Sequence, residues 1–146
     1  MALIDKEYLQ INQALFSLVH AYEARMLKEL GNTLSLADCS VLVVMHQFAP
    51  LTAAQLSNSM DINPGTISVY IQRLVKKGLV KRDQDADDRR NWWLSFTEAG
   101  QAAADDIVRS AAQYTHDFLS TLDEEEQRNL HQLLLKASHG LGFDWQ

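Results

Sequence analysis

Apolar residues recur at threes and fours along most of this chain and at twos only briefly. Ile4, Tyr8, Ile11, Leu15, Leu18, Tyr22 and Met26 form one stripe, which predicts a long amphipathic helix from Ile4 to Leu30, ended by Gly31-Asn32. Ser35-Leu36-Ala37-Asp38 has the form of a capping box and opens a second helix. Its body, Cys39 to Phe48, is apolar on nearly all sides through Val41, Leu42, Val43, Val44 and Met45, so burial is expected. Pro50 closes it.

From Leu51 to Gly100 the punctuation becomes denser. Thr52 and Gln55 make a second capping box, and Leu56 and Met60 lie one turn apart on the helix it opens. Asp61-Ile62-Asn63 is a turn, and Asn63 caps a further helix with Pro64 at its first position. Ile67, Ile71, Leu74 and Val75 share that helix's buried face; Gly78 ends it, after Lys76 and Lys77 in the last turn. Two helices joined by a tight turn make a helix-turn-helix, whose second helix enters a major groove. Leu79 to Arg82 and Trp92 to Phe96 then suit strands. Between them, Asp83 to Asn91 is polar apart from Ala86, which makes a hairpin with a charged tip. A hairpin after a helix-turn-helix is a wing, suited to phosphates or a minor groove.

After the wing, Thr97 caps a third long helix, expected to reach about Thr121, with Ala103, Ile107, Ala111, Tyr114 and Phe118 along one face. Asp123 opens the last helix with Glu124, Glu125 and Glu126 at its positive end, and Leu130, Leu133, Leu134 and Ala137 form its stripe up to Gly140. In the tail from Gly142 to Gln146, Phe143 and Trp145 are candidates for docking on a neighbour. The expected fold is mainly α with a small β wing: a winged helix-turn-helix with long N- and C-terminal dimerisation helices. It forms one domain over 1–146, with the winged part at 34–99 and dimerisation helices at 1–33 and 100–146. The terminal stripes exceed what a winged core of this size needs. A two-fold dimer would use them and set two reading helices about one DNA turn apart, for a pseudo-palindromic site. The interface expected is Ile4, Tyr8, Ile11, Leu15, Phe118, Leu130, Leu133 and Leu134; packing within one subunit is the alternative.

The net charge of −6 argues at first against a nucleic acid. Its distribution reverses the argument. Residues 73–90 hold seven of the thirteen basic residues and four of the nineteen acids, a local +3 against −9 elsewhere. The expected DNA contacts are Thr52, Asn63, Gly65, Thr66, Ser68, Val69, Gln72, Arg73, Lys76, Asp87, Arg89 and Arg90. Thr66 and Ser68 suit phosphates or bases, Val69 a thymine methyl and Gln72 adenine, while Arg73 and Lys76 suit phosphate.

Four stretches carry a resemblance: "LTAAQLSNSM", "TISVYIQRLVKKGLVKR", "DDRR" and "FTEAG". In this order and spacing they resemble the multiple-antibiotic-resistance regulator (MarR) family of winged-helix transcription factors. That resemblance implies dimerisation through the terminal helices, and a small aromatic or phenolic effector held between those helices and the winged domain. It also implies an Asp-x-Arg wing signature, matched here to Asp87-Asp88-Arg89, with Arg89 in the minor groove. Asp87 cannot touch DNA favourably and is expected to hold Arg89 by a bidentate pair. The family often has a basic residue where Val69 stands.

Other chemistry finds little footing. No glycine-rich phosphate loop, GxSxG elbow or motif-placed carboxylate pair is present, so no catalytic residue is expected. The histidines, at 20, 46, 116, 131 and 139, lack metalloenzyme spacing, and one cysteine allows neither a disulfide framework nor a CxxC site; no metal or cofactor is expected. No signal peptide or membrane span is read, and a cytoplasmic location is expected. Cys39 lies in an apolar helix without a basic neighbour in sequence, which favours a structural thiol over a redox sensor. His20 and His46 are candidates for lining an effector pocket, and one of Trp92 and Trp93 is expected on the core. The function expected is a DNA-binding repressor released by a small ligand. A winged helix used for protein–protein contact and a cysteine-based redox regulator are the alternatives.

Overall fold

The structure, a computed structural model, describes residues 2–30 and 33–140, with side chains described over 6–29 and 33–140. Its elements are α1 (Ala2–Leu30), α2 (Leu36–Phe48), β1 (Leu51–Thr52), α3 (Ala53–Met60), α4 (Pro64–Lys76), β2 (Val80–Gln84), β3 (Trp92–Phe96), α5 (Glu98–Phe118) and α6 (Glu124–Gly140). The expected stop at Gly31-Asn32, the Ile4 side chain, and the tail with Phe143 and Trp145 lie outside the described residues. The architecture is a mainly helical winged helix with long helices at both ends, as expected.

Helix starts follow the local chemistry. In the box opening α2, the Asp38 amide donates to Ser35 Oγ and the Ser35 amide to Asp38 Oδ2, both at 3.1 Å. Thr52 and Gln55 repeat this at α3, and Asp123 and Glu126 do so at α6. Asp61 ends α3 in the left-handed region at φ 50°, which Asp tolerates better than most residues. Thr52 has a second task that sequence reasoning missed. An N-cap takes extended φ/ψ, and this lets Leu51 and Thr52 pair with Leu94 and Trp93 as a third strand. The sheet order is β1-β3-β2, antiparallel throughout, with Val80 opposite Phe96 and Gln84 opposite Trp92.

One core joins the elements: Val41, Leu42, Val44 and Met45 of α2, Leu56 of α3, Ile67, Ile71 and Leu74 of α4, Leu94 of β3 and Ile107 of α5. Several expectations need correction. Val43 is 38% exposed, because α2 buries one broad face and turns Val43 toward a cavity. Val75 is exposed as well, since Leu74 already fills the core position of that turn. β2 lies one residue later than expected at its start and takes in Asp83 and Gln84, which ladder pairing with β3 draws out of the loop. α5 stops at Phe118 instead of near Thr121. Neither tryptophan joins the core: Leu94 and Phe96 fill that role, Trp92 is 47% exposed and Trp93 is half-buried.

Behind α4 the chain turns sharply. Gly78 has φ 74°, and the Leu79 carbonyl just after it accepts the Thr97 amide at 3.1 Å. Thr97 Oγ1 donates to the Gly78 carbonyl and accepts the Gly100 amide at 3.0 Å. A Cβ on Gly100 would come within 1.7 Å of the Leu79 carbonyl oxygen, so only glycine permits this approach of α5 to the end of α4. Gly100→Ala is expected to cost about 1–3 kcal/mol of overpacking, read as a lower urea midpoint with the slope unchanged.

Candidate nucleic-acid interface

α4 is buried on one face and bare on the other. Ile67, Ile71 and Leu74 are each at most 3% exposed, while Gly65, Thr66, Ser68, Val69, Gln72 and Lys76 are exposed. No acidic residue occurs between Pro64 and Lys76. The bare face therefore offers hydroxyls, an amide, a methyl-bearing side chain and one ammonium without a carboxylate to repel phosphate. Thr52 and Asn63 are occupied by capping, with Thr52 Oγ1 accepting the Gln55 amide at 3.2 Å and Asn63 Oδ1 the Gly65 amide at 2.7 Å.

Arg73 does not stand free on that face. Its Nε and Nη2 meet Asp38 Oδ1 at 2.8 and 2.7 Å, and Nη2 also donates to Ser35 Oγ at 3.2 Å. Lys77 Nζ donates to Asp38 Oδ2 and to the Thr33 carbonyl, both at 2.8 Å. The Tyr70 ring lies under the Arg73 guanidinium, 5.3 Å from its centroid. Asp38 is fully buried. Burial alone would raise its carboxyl, but Lys77, the Ser35 amide and Arg73 outweigh that and hold it below the usual carboxylate range.

The wing is organised by Asp85, which sequence reasoning passed over as a turn former. Asp85 Oδ1 accepts the amides of Asp87 and Asp88 at 2.8 and 3.0 Å, and Oδ2 accepts the Trp93 indole N–H at 2.6 Å. The indole and these amides together hold the Asp85 carboxyl below its ordinary value. The resulting turn aims Asp88 forward. Its Oδ1 accepts the Arg90 amide at 3.0 Å and pairs with Arg90 Nε at 3.4 Å, and its Oδ2 accepts from Asn91 Nδ2 at 3.4 Å. The Asp-x-Arg pair that forms is thus Asp88-Arg89-Arg90. Among the described residues the expected Asp87–Arg89 pair does not form; Asp87 is held through its backbone amide by Asp85. Among the described residues the Arg89 guanidinium has no hydrogen bond or ion pair, and Gln84 Nε2 holds the Arg89 carbonyl at 2.7 Å.

A cavity of about 740 Å³ lies between α1, α2, α5 and α6 and reaches the α3–α4 turn at Met60 and Ile62. Tyr22, Met26, Cys39, Val43, Tyr114 and Leu134 contribute to its largely apolar wall. The Tyr22 and Tyr114 rings meet at a tilt of 52° with centroids 5.3 Å apart, and burial first, then Cys39 and Tyr114, raise the Tyr22 hydroxyl. Burial and the adjacent Asp38 charge likewise raise the Cys39 thiol, which disfavours its thiolate. His20 and His46 do not line the cavity: His20 stacks on Phe16, and His46 bonds Asp105 of α5 at 3.1 Å. Among the described residues no His, Cys, Asp and Glu group is arranged to hold a metal ion.

The terminal helices keep broad apolar faces exposed in the single chain. Tyr8, Ile11, Leu15, Phe118, Leu133 and Leu134 are each 42–67% exposed, and no described residue of α6 is buried. Leu130 is half-buried at the cavity wall. The residues that sequence reasoning missed are Asp38, Lys77, Gln84 and Asp85. Asp38 was legible as an acid in an apolar helix, but its place in a capping box already accounted for it.

Comparison with known proteins agrees with this geometry. The model of the MarR family matches residues 34–92. An uncharacterized HTH-type transcriptional regulator of Bacillus cereus is 32% identical over 105 residues, which cover 71% of this chain and 69% of that protein. A probable transcriptional regulator from Pseudomonas aeruginosa superposes with TM-score 0.73 at 28% identity, over 87% of this chain and 96% of its own. Streptococcus pneumoniae FabT, solved in complex with DNA, gives 0.81 at 21% identity over 92% and 97%, a likeness of fold. Winged core, terminal helices and sequence agree: the chain belongs to the MarR family of transcriptional regulators.

Proposed function

We propose that the protein is a homodimeric repressor that sets α4 of each subunit into the major groove of a pseudo-palindromic operator and each wing into the adjacent minor groove. The observation that carries this reading is the acid-free, solvent-facing side of α4, whose opposite side is locked into the core. Thr66, Ser68, Val69 and Gln72 supply base and phosphate contacts, Lys76 supplies phosphate contact, and Thr52, Asn63 and Gly65 shape the approach of the backbone. Arg73 supports α4 from behind, through Asp38. In the wing, Arg90 enters the minor groove because Asp88 braces it, and a braced guanidinium loses less side-chain entropy on binding. Arg89 takes phosphate, and Asp87 acts only through the turn.

The exposed apolar faces of α1, α5 and α6 support the dimer, with Tyr8, Ile11, Leu15, Phe118, Leu133 and Leu134 in the interface and the half-buried Leu130 beside them. The cavity supports release by a small aromatic effector: its wall is apolar, with the Tyr22 and Tyr114 hydroxyls as polar anchors. No helix among the described residues is long and apolar enough to cross a membrane. A cytoplasmic location fits the proposed action on DNA.

Light scattering at micromolar concentration is expected to return twice the subunit mass, and Leu15→Asp with Leu133→Asp to lower the mass and abolish DNA binding together. A monomeric wild type would end the dimer reading. Affinity for DNA is expected to fall with salt on a log–log slope of several units, and Lys76→Ala to reduce that slope by about one unit per subunit while weakening all sequences alike. A flat response would favour a protein–protein role. Arg90→Ala is expected to cost about 1–3 kcal/mol at the operator, and Asp88→Ala less but with the same sign. Tighter binding by Asp88→Ala would reduce Asp88 to background charge.

A further inference from the structure

The Asp38 cluster is larger than a helix cap requires. One buried carboxylate receives an amide, a guanidinium and an ammonium, and the two cations come from the last turn of α4 and the residue after it. Lys77 is tied further to the Thr33 carbonyl, and Arg73 to Ser35 Oγ and the Tyr70 ring. No buried side-chain polar atom lacks a partner among the described residues. A cluster of this kind adds little net stability, because the desolvation of a buried ion offsets most of its attraction. What it adds is geometry. The apolar face of α4 permits small slides and rotations, since dispersion contacts are weakly directional, whereas two cations on two oxygens of one carboxylate fix a single register.

We infer that Asp38 is a positioning residue for DNA reading: it latches the C-terminal end of α4 to the start of α2 through Arg73 and Lys77, and so sets the depth and rotation at which α4 meets base edges. Two cations near the end of the helix thereby spend their charge on Asp38 while staying partly exposed, and Lys76 is the exposed cation of α4 outside the cluster. The latch acts on specificity more than on affinity for DNA at large. This rests on the reading of α4 as the DNA-facing helix.

The test first selects, with wild-type protein, a duplex from a random pool. Equilibrium affinity is then measured for that duplex and for an unrelated duplex of equal length at the same salt. Asp38→Asn keeps the shape and removes the charge. Its affinity for the selected duplex is expected to fall about tenfold or more, the scale of one lost base contact. Affinity for the unrelated duplex should hold or rise, because an acid is gone and two cations are released. The double variant Asp38→Asn with Lys77→Met leaves fewer unmatched cations and is expected to lose the same ratio. Lys77→Met alone, which keeps the Asp38–Arg73 pair, should fold and lose part of it. Urea denaturation accompanies each measurement. A wild-type ratio in the folded variants would overturn the latch, as would a proportional loss on both duplexes together with lowered stability. If Asp38→Asn does not fold, an unchanged ratio in Lys77→Met alone overturns it. A wild-type protein that selects no duplex would sink the DNA reading itself, a result distinct from any of these.

Discussion

Everything that faces outward from the winged core depends on the tight turn at Gly78 and Leu79. There α4 ends, β2 begins and α5 approaches within the radius of a missing Cβ. The left-handed backbone at Gly78 reverses the chain without a steric penalty. The Leu79 carbonyl and the Gly78 carbonyl are both taken up by Thr97, so the foot of α4 and the head of α5 share one hydrogen-bonded joint. Because β2 and β3 leave from that same joint, the wing inherits its direction from it. A helix end and a hairpin are usually mobile features; here both are fixed by one glycine contact and one threonine.

The second organising element is α2, which faces two environments. Its buried side carries Val41, Leu42, Val44 and Met45 into the core, and Asp38 at its start meets the cations at the end of α4. Val43 and Ser40 reach the cavity on the side of the terminal helices, with Cys39 between the two environments. Leu36 and Cys39, on either side of Asp38, both line the cavity, so the cavity and the cation cluster share the first turn of α2. In the proposed cycle of binding and release, α2 is the shortest mechanical route between effector and DNA.

Electrostatics and apolar surface are partitioned along the chain in a consistent way. The basic residues gather at α4, β2 and the wing, while acids crowd the start of α6 and the body of α5. An acidic protein keeps a local basic face in this manner, and a Debye length of about 10 Å at moderate salt lets that face act on its own. The unburied apolar stripes lie on α1 and α6, and the basic residues on α4, β2 and the wing, so different elements carry them. The surface proposed for pairing and the surface proposed for DNA thus do not compete.

Much of this protein was legible before its structure. The capping boxes at Ser35 and Thr52, the Asn63-Pro64 start and the glycine stop at Gly78 each involve groups three or fewer residues apart, so local chemistry decided them. The amphipathic stripe of α4 and the surplus stripes at both ends followed from periodicity alone, and with the four ordered motifs they led to the family. What the sequence by itself determined was therefore where helices begin, which faces are apolar and which stretch is basic. Tertiary structure decided which polar side chains are already in use. Asp38 meets Arg73 and Lys77 across separations of 35 and 39 residues, and no local rule reaches that far. Among the crowded wing carboxylates, only the indole of Trp93, eight residues from Asp85, singles that residue out as the organiser and moves the arginine pair from Asp87–Arg89 to Asp88–Arg90. Spacing reports backbone period, whereas a hydrogen bond depends on where two side chains end, and that is set by the packed core between them.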